Sequence, residues 1–247
     1  MTPSTAESLN AEMVPGGVLR AGINLGNPTV VQKPEGGGDL RGVGPALARE
    51  LAMRLGARVE FVTYDSAAKM AEGARGGAWD VAFLAVDPQR ATDIAFSAPY
   101  MQIEATYMVR ADSPLRKPDD VDRKGVRIAT NNNAAFDLWM QRNLRNAERV
   151  LAYSSGAAVE LFMAQPDIDA AAGVRNTLAQ YAAKNPGYRV MDVNFSEVGQ
   201  ACGVPRGRAA AAKYLHAFVE EMKASGFVAR ALRESGVTDA VVAPPAR

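Results

Sequence analysis

The fold class is set by residues 42–64, GVGPALARELAMRLGARVEFVTY. Within this stretch, apolar residues recur at every fourth position, on one face of a helix: Val43, Leu47, Leu51 and Leu55. Gly56 suits the end of that helix, because glycine commonly follows the last helical residue. The apolar run at 59–63 is typical of a strand. A helix that leads directly into an apolar strand predicts an α/β protein.

The same alternation extends in both directions from this stretch. An apolar strand is predicted at 18–23, and a short helix capped by Ser66 and a strand at 79–86 follow residue 64. The alternation then restarts, with predicted strands at 126–130, 150–153, 168–173 and 188–193 and predicted helices at 134–146, 156–164, 175–184, 208–224 and 227–234. This order of elements predicts mostly parallel sheets.

The two runs of alternation predict two lobes joined by two crossovers. Extended segments at 105–110 and 194–199 interrupt the pattern, so we assign residues 18–105 and 199–247 to lobe 1 and residues 106–198 to lobe 2. In open α/β sheets, ligands bind beyond the carboxyl ends of the strands, and crevices between lobes are common binding sites. We therefore expect the functional residues at strand ends, in a cleft.

The composition excludes several classes of function. The chain has 28 Lys+Arg against 27 Asp+Glu, a net charge of +1, and 48% hydrophobic residues, so global disorder and nucleic-acid binding are not expected. With one Cys and one His, it cannot build a disulfide, a Cys or His metal cluster or a Cys/His nucleophile pair, and we expect no metal and no cofactor. The apolar runs are far shorter than the roughly 20 residues of a membrane span, which predicts a soluble protein.

Several motifs together resemble one family. The segment at 42–56, Trp79-Asp80-Val81, Arg90, FSAPY at 96–100 and DDVDRKGVRI at 119–128 occur in the order found in periplasmic solute-binding proteins of the polar amino-acid class. This class is extracellular solute-binding protein family 3 of the ABC transporters. The resemblance covers nearly all of residues 18–236, and FSAPY with an Arg six residues before its Phe is its most specific part.

The resemblance implies a fold and a function. It implies a two-lobe type II periplasmic-binding-protein fold, in which each lobe is a mostly parallel sheet flanked by helices and two crossover strands join the lobes. It also implies a monomeric, non-enzymatic protein of the periplasm that captures a small carboxylate-bearing solute by hinge closure and delivers it to an ABC-type permease. The implied partners are thus the solute and the permease.

The N-terminal residues 1–17 carry no intact secretory signal, because they have neither a basic start nor an apolar run of about 7 to 15 residues. We predict a flexible leader here. Two readings stay open: a signal peptide was removed and Met1 added, or the natural protein stays inside the cell. The resemblance favours the periplasm.

Arg90 is the first candidate binding residue. It follows the strand at 79–86 and matches the carboxylate-binding Arg of the family, and a guanidinium can hold a carboxylate through two parallel charge-assisted hydrogen bonds. The alternative is a solvated Arg that pairs with Asp87 or Asp93. Ala85 stands where the family usually has a Thr or Ser hydroxyl, so only its backbone can contribute.

Asn131, Asn132 and Asn133 precede a predicted helix, and the unpaired N–H groups of a helix start favour anions. The family usually has a Gly-Ser/Thr-rich turn here that covers the same carboxylate. The alternative for each Asn is a helix cap without a ligand contact.

Two family acids that hold the ammonium group of an amino acid are absent, because Asn24 and Val174 occupy their positions. A buried ammonium without a carboxylate costs several kcal/mol, so an ordinary α-amino acid is not the expected ligand. Arg175 either faces the cleft as a second cation or lies at the surface of the next helix. Tyr64 either forms an aromatic wall of the site or packs within its lobe.

Two other functions compete with transport. The fold has dehydratase offshoots that act on cyclic carboxylates, so a cyclohexadienyl-dehydratase-like enzyme is one alternative. A detached ligand-sensing domain is the other. Dehydration requires an acid with a raised pKa, and Asn24 and Val174 occupy the obvious positions, so we predict no catalytic residue.

Overall fold

The computed structural model describes residues 5–237 and 240–246. In chain order, its elements begin with α1 (Thr5–Met13), β1 (Val18–Asn24), α2 (Val43–Arg54), β2 (Arg58–Tyr64), α3 (Ala67–Glu72), β3 (Val81–Ala85) and β4 (Ile94–Arg110). They continue with α4 (Pro118–Val121), β5 (Arg127–Asn131), α5 (Ala135–Asn143), β6 (Glu148–Ala152), α6 (Ser155–Ala164), β7 (Ala170–Val174), α7 (Arg175–Lys184) and β8 (Tyr188–Val190). The last are β9 (Ser196–Pro205), α8 (Ala209–Ala224), α9 (Phe227–Glu234) and β10 (Ala240–Val242).

The chain divides into two compact units. Unit 1 comprises Met1–Gln102 and Gly199–Arg247, and unit 2 comprises Ile103–Val198. Strand β4 carries the chain from unit 1 into unit 2, and β9 carries it back. Among the described residues, no helix is both long and apolar enough to cross a membrane.

The sheet of unit 1 has a parallel centre. Strand β1 lies between β2 and β3 and runs parallel to both, whereas β9 pairs with β3 in the antiparallel sense. The predicted apolar face of α2 is buried, with Leu47 and Leu51 fully shielded from solvent. Because β1, β2 and β3 are parallel, their carboxyl ends lie at one edge of the sheet.

Unit 2 repeats this plan. Strand β5 lies between β6 and β7 and runs parallel to both, and β4 pairs with β7 in the antiparallel sense. Met108, Phe162 and Leu178 belong to its buried apolar cluster. The carboxyl ends of β5, β6 and β7 therefore also share one edge.

The first crossover is longer than the sequence predicts. The segment at 105–110 is the second part of β4, a 17-residue strand that already includes the FSAPY motif. Gly199 makes room for the ring of Pro99 in this motif, since a side-chain methyl there would lie 2.9 Å from Pro99 Cγ. In the same motif, Ser97 Oγ accepts a hydrogen bond from the backbone N–H of Cys202 at 3.2 Å. The thiol of Cys202 is fully buried, and burial raises its pKa.

Residues 5–17 are folded, which corrects the prediction of a flexible leader; residues 1–4 lie outside the described part of the chain. Helix α1 packs on α8, and Met13 is fully buried. Arg208 Nη1 donates to the Glu12 carbonyl at 2.6 Å, and the Ala211 N–H donates to Glu12 Oε2 at 2.8 Å. Glu12 thus satisfies a first-turn N–H group of α8. Distant residues hold this helix, so its local pattern does not reveal it.

The burial of Met13 yields a stability prediction. Met13→Ala is expected to lower the free energy of unfolding by about 2–5 kcal/mol, because it removes a fully buried side chain and leaves a cavity. Met53→Ala is the matched control, since Met53 is 66% exposed. Met53→Ala is expected to change the free energy of unfolding by less than about 0.5 kcal/mol. Urea unfolding checks both variants, and equal effects would show that α1 is detached in solution.

Candidate functional site

The carboxyl edge of unit 1 brings together four of the predicted site residues. Asn24 and Tyr64 are register partners at the ends of β1 and β2, and the Leu25 N–H donates to the Tyr64 carbonyl at 2.8 Å. Ala85 ends the neighbouring strand β3, and its carbonyl accepts a hydrogen bond from Arg90 Nη1 at 3.2 Å. The backbone of Ala85 therefore contributes to the site by orienting Arg90.

Arg90 is buried, with 6% of its surface exposed, and it opens a short 3-10 turn at Arg90–Thr92. Burial lowers the pKa of its guanidinium to about 10, and the nearby Asp87 carboxylate acts in the opposite direction. Asp93 instead pairs with Arg75, at 2.9 Å, and this contact lowers the pKa of Asp93. The structure therefore contradicts a solvated Arg90 and a pair with Asp93, whereas the buried Asp87 carboxylate does lie near Arg90.

Asp87 builds the turn that carries Arg90, a role that the sequence analysis did not assign. Its side chain is buried, and Oδ1 accepts from the Gln89 N–H at 2.8 Å. Its carbonyl accepts from the Ala91 N–H at 2.9 Å. An Asp followed by Pro at a strand end is a signal for such a turn, because Asp side chains bond the backbone two residues on.

Asn24 is nearly buried and uses its amide on its own loop. Oδ1 accepts from the Gly26 N–H at 3.0 Å. Gly26 fits this turn because a methyl at that position would lie 2.9 Å from the Asp65 carbonyl oxygen. Where the resemblance implies a carboxylate, this chain thus has a neutral amide whose oxygen already accepts a hydrogen bond.

Tyr64 takes the packing role that the sequence analysis left open. Its ring packs against the buried cluster that contains Met70, Trp79 and Leu84. Its hydroxyl lies over Gly73, where a methyl would come within 2.8 Å of Oη. Burial raises the pKa of this phenol. These contacts support the packing role of Tyr64, and its role as an aromatic wall stays a prediction.

The helix start in unit 2 differs from the predicted anion site. Ala134 is the N-cap of α5, and Asn133 adopts a left-handed backbone with φ of 57°. The three N–H groups of this turn donate to protein acceptors: Asn132 to the Ala152 carbonyl at 2.9 Å, Asn133 to Asp137 Oδ2 at 3.0 Å, and Ala134 to the Asn131 carbonyl at 3.0 Å. These groups are therefore not preformed for an external anion.

The protein supplies its own anion at this helix start. Asp137 lies in the first turn of α5 and is almost fully buried, and its Oδ1 pairs with Arg149 Nη1 at 2.6 Å. A negative charge in the first turn is favourable because it faces the positive end of the helix dipole. The sequence contained an indication of this role, because Asp137 falls in the first turn of a predicted helix, where acids are common.

Asn131 ends β5 and is 5% exposed. Its Nδ2 donates to Ser155 Oγ at 3.3 Å, at the start of α6. Its Oδ1 is buried and has no hydrogen-bond partner among the described residues. Asn132 and Asn133, in contrast, have exposed side chains.

The end of β7 carries the apolar, buried Val174, where the resemblance implies an acid. Arg175 follows it and is bound within unit 2. Its guanidinium contacts four groups there: Asn194 Oδ1 at 2.5 and 3.1 Å, the Met191 carbonyl at 2.9 Å, the Asp192 carbonyl at 3.0 Å and Glu104 Oε2 at 2.8 Å. These contacts make Arg175 a brace for residues 191–194, so a second cation for the ligand finds no support.

Comparison with known proteins connects this arrangement to one family. The model for the bacterial extracellular solute-binding proteins, family 3, matches residues 19–235. A comparison with curated protein sequences gives no match. Among solved structures, a mutant of ArgBP from T. maritima is similar with a TM-score of 0.78 and 20% identity, over 95% of this chain and 100% of that one.

Two further structures are similar to the same degree. The cysteine-binding protein from Campylobacter jejuni has a TM-score of 0.77 and 21% identity, over 94% of this chain and 92% of that one. The ancestral amino acid-binding protein AncCDT-1, a precursor of cyclohexadienyl dehydratase, has a TM-score of 0.76 and 21% identity, over 94% of this chain and 99% of that one.

These likenesses confirm the predicted α/β fold of the type II periplasmic binding proteins. Identities this low establish the fold alone. The family match, however, spans most of the sequence. This chain belongs to the bacterial extracellular solute-binding proteins, family 3.

Proposed function

We propose that this chain is a monomeric, extracytoplasmic solute-binding protein of an ABC transporter. It captures a small carboxylate-bearing solute, an organic acid or an atypical amino acid, by hinge closure and delivers it to a permease. The observation that carries this proposal is the buried Arg90 at the carboxyl edge of unit 1. Its natural location is the periplasm, after removal of a signal peptide.

Arg90 supports a carboxylate ligand through its burial. A guanidinium that is shielded from water interacts more strongly with an opposite charge than an exposed one does, because the effective dielectric is lower. Its planar fork matches a carboxylate with two parallel hydrogen bonds. The lowered pKa of Arg90 shows the cost of burying the charge, and an anionic ligand would offset that cost.

The groups at Asn24 and Val174 argue against a conventional α-amino acid. Asn24 offers an amide oxygen that already accepts from Gly26, and Val174 offers an apolar side chain. Neither compensates the desolvation of an ammonium, which costs several kcal/mol. The same replacements leave those positions without a general acid or base, so we propose a non-enzymatic role.

A ligand screen on matched variants tests this function. Amino acids, mono- and dicarboxylates, keto acids and aromatic acids are added to the wild type, Arg90→Met and Arg75→Met, and the thermal midpoint is measured. A ligand at about 100 times its Kd should add roughly 2.7 kcal/mol of apparent stability. We expect a carboxylate without an amine to raise the thermal midpoint of the wild type and of Arg75→Met but not that of Arg90→Met. Arg75→Met is the control because the Arg75 side chain is 76% exposed.

Two results would contradict the proposal. Tight binding of zwitterionic amino acids in preference to organic acids would refute the argument from Asn24 and Val174. A carboxylate shift that persists in Arg90→Met would remove Arg90 as the anchor.

A further inference from the structure

Gln200 has a polar side chain that the protein buries but does not bind. The residue belongs to β9 in unit 1, and 3% of its surface is exposed. Neither polar atom of its amide group hydrogen-bonds to another described residue, and neither is among the fully enclosed unpartnered atoms of the described part of the chain. The small exposed area of Gln200 therefore includes its amide group. Most buried polar side chains have a partner, so this open amide requires an explanation.

The strand register places Gln200 beside the residue that orients Arg90. Gln200 is the register partner of Ala85 in the antiparallel pair of β9 and β3. The next pair is joined by the Val86 N–H, which donates to the Gly199 carbonyl at 2.9 Å. Ala85 and Gln200 thus form a pair without mutual hydrogen bonds, in which facing side chains are closest and lie on one side of the sheet. The Ala85 carbonyl accepts from Arg90 Nη1 at 3.2 Å.

The chemistry of this part of unit 1 suits a carboxylate. Arg90 supplies the positive charge, and the nearby buried Asp87 carboxylate offsets part of it. The methyl group of Ala85 has no hydrogen to donate. The amide nitrogen of Gln200 carries two N–H donors, without a second charge that would have to be desolvated. Guanidinium and amide together therefore offer donors to both oxygens of one carboxylate.

We propose that Gln200 contributes to solute binding, with Nε2 donating a hydrogen bond to the carboxylate that Arg90 holds. This inference rests on the proposed function and assigns a second residue to the same group of the solute. Arg90 and Gln200 both belong to unit 1, so the contact requires no residue of unit 2. Because a hydrogen bond to an ionised acceptor is stronger than one to a neutral acceptor, Gln200 favours a carboxylate over the corresponding amide.

Two substitutions of Gln200 test this contact. Gln200→Met keeps the length of the side chain and removes the donor, whereas Gln200→Glu replaces the donor with a carboxylate. Gln141→Met and Gln141→Glu are the matched controls, because Gln141 is exposed on α5. The probes are acetate, propionate, pyruvate, lactate, succinate and malate. Calorimetric Kd values at pH 7.5 and the thermal midpoint without ligand are measured for each variant.

The expected results separate a binding role from a structural one. For the probe that binds the wild type most tightly, Gln200→Met should raise Kd roughly 10- to 100-fold, because hydrogen bonds to charged groups contribute more than neutral ones. Its thermal midpoint without ligand should not fall, because no hydrogen bond within the described protein is lost. Gln200→Glu should weaken binding further, because its carboxylate repels that of the solute. Both Gln141 variants should bind like the wild type.

This contact and the function on which it rests fail differently. Carboxylate binding that requires Arg90 and is unchanged in Gln200→Met overturns the contact alone. A lower thermal midpoint of Gln200→Met without ligand, or failure of both Gln200→Met and Gln200→Ala to fold, would show that the side chain serves the structure, with the same consequence. Absence of binding by every probe, with the wild type folded, overturns both.

Discussion

Arg90→Met is expected to weaken carboxylate binding. Truncation of one partner of a buried charged pair costs about 2–5 kcal/mol of binding free energy, which is roughly 30- to 4,000-fold in Kd. Burial lowers the pKa of Arg90 to about 10, so an anionic ligand offsets a cost that the charged guanidinium carries in the free protein.

Arg90→Met is also expected to lower the free energy of unfolding without ligand by about 1–3 kcal/mol, because it removes the hydrogen bond to the Ala85 carbonyl and the cation near the buried Asp87 carboxylate. Urea unfolding without ligand checks this value. A gain of stability would show that the buried charge costs more than these contacts contribute.

Arg149→Ala is expected to have the largest effect on stability. It leaves the charge of Asp137, which is 1% exposed, without its partner. Removal of one member of a buried ion pair costs about 3–5 kcal/mol. The helix start of α5 should loosen as well, because Asp137 also accepts from the Asn133 N–H.

The matched control for Arg149 is the pair of Arg123 and Asp120, which has the same 2.6 Å separation but an exposed guanidinium. Arg123→Ala should have a much smaller effect, since exposed pairs contribute little. Asp137→Asn added to Arg149→Ala should recover part of the loss by removing the stranded charge. Equal destabilisation by Arg149→Ala and Arg123→Ala would refute the role of burial. Urea unfolding followed by circular dichroism measures all of these variants.

Periodicity predicted the elements that bury a continuous apolar face. Helix α2 was predicted from leucines at every fourth position and ends within one residue of the predicted end, and Leu47 and Leu51 are fully buried as expected. Strands β5 and β7 lie within two residues of their predicted bounds. Such patterns are local and repeat with the period of the element, so a single sequence is enough to reveal them.

The contacts that depend on distant residues could not be predicted in this way. Helix α1 is held by Arg208, which lies almost at the other end of the chain. Arg175 is bound by residues near 191–194, and no local pattern indicates where its guanidinium points. The strand ends that carry Asn24, Ala85 and Asn131 were predictable, whereas the atoms that those side chains bind were not.

The burial of Cys202 also makes this protein convenient for fluorescent labelling. Maleimide dyes react with accessible thiolates, and the only native thiol is fully enclosed, with a raised pKa that keeps it protonated. The native cysteine can therefore remain in place when new cysteines are introduced. Met53 in unit 1 and Tyr153 in unit 2 are both largely exposed, so Met53→Cys and Tyr153→Cys provide one dye position on each unit. A change in energy transfer between the two dyes when a solute is added would test the proposed hinge closure.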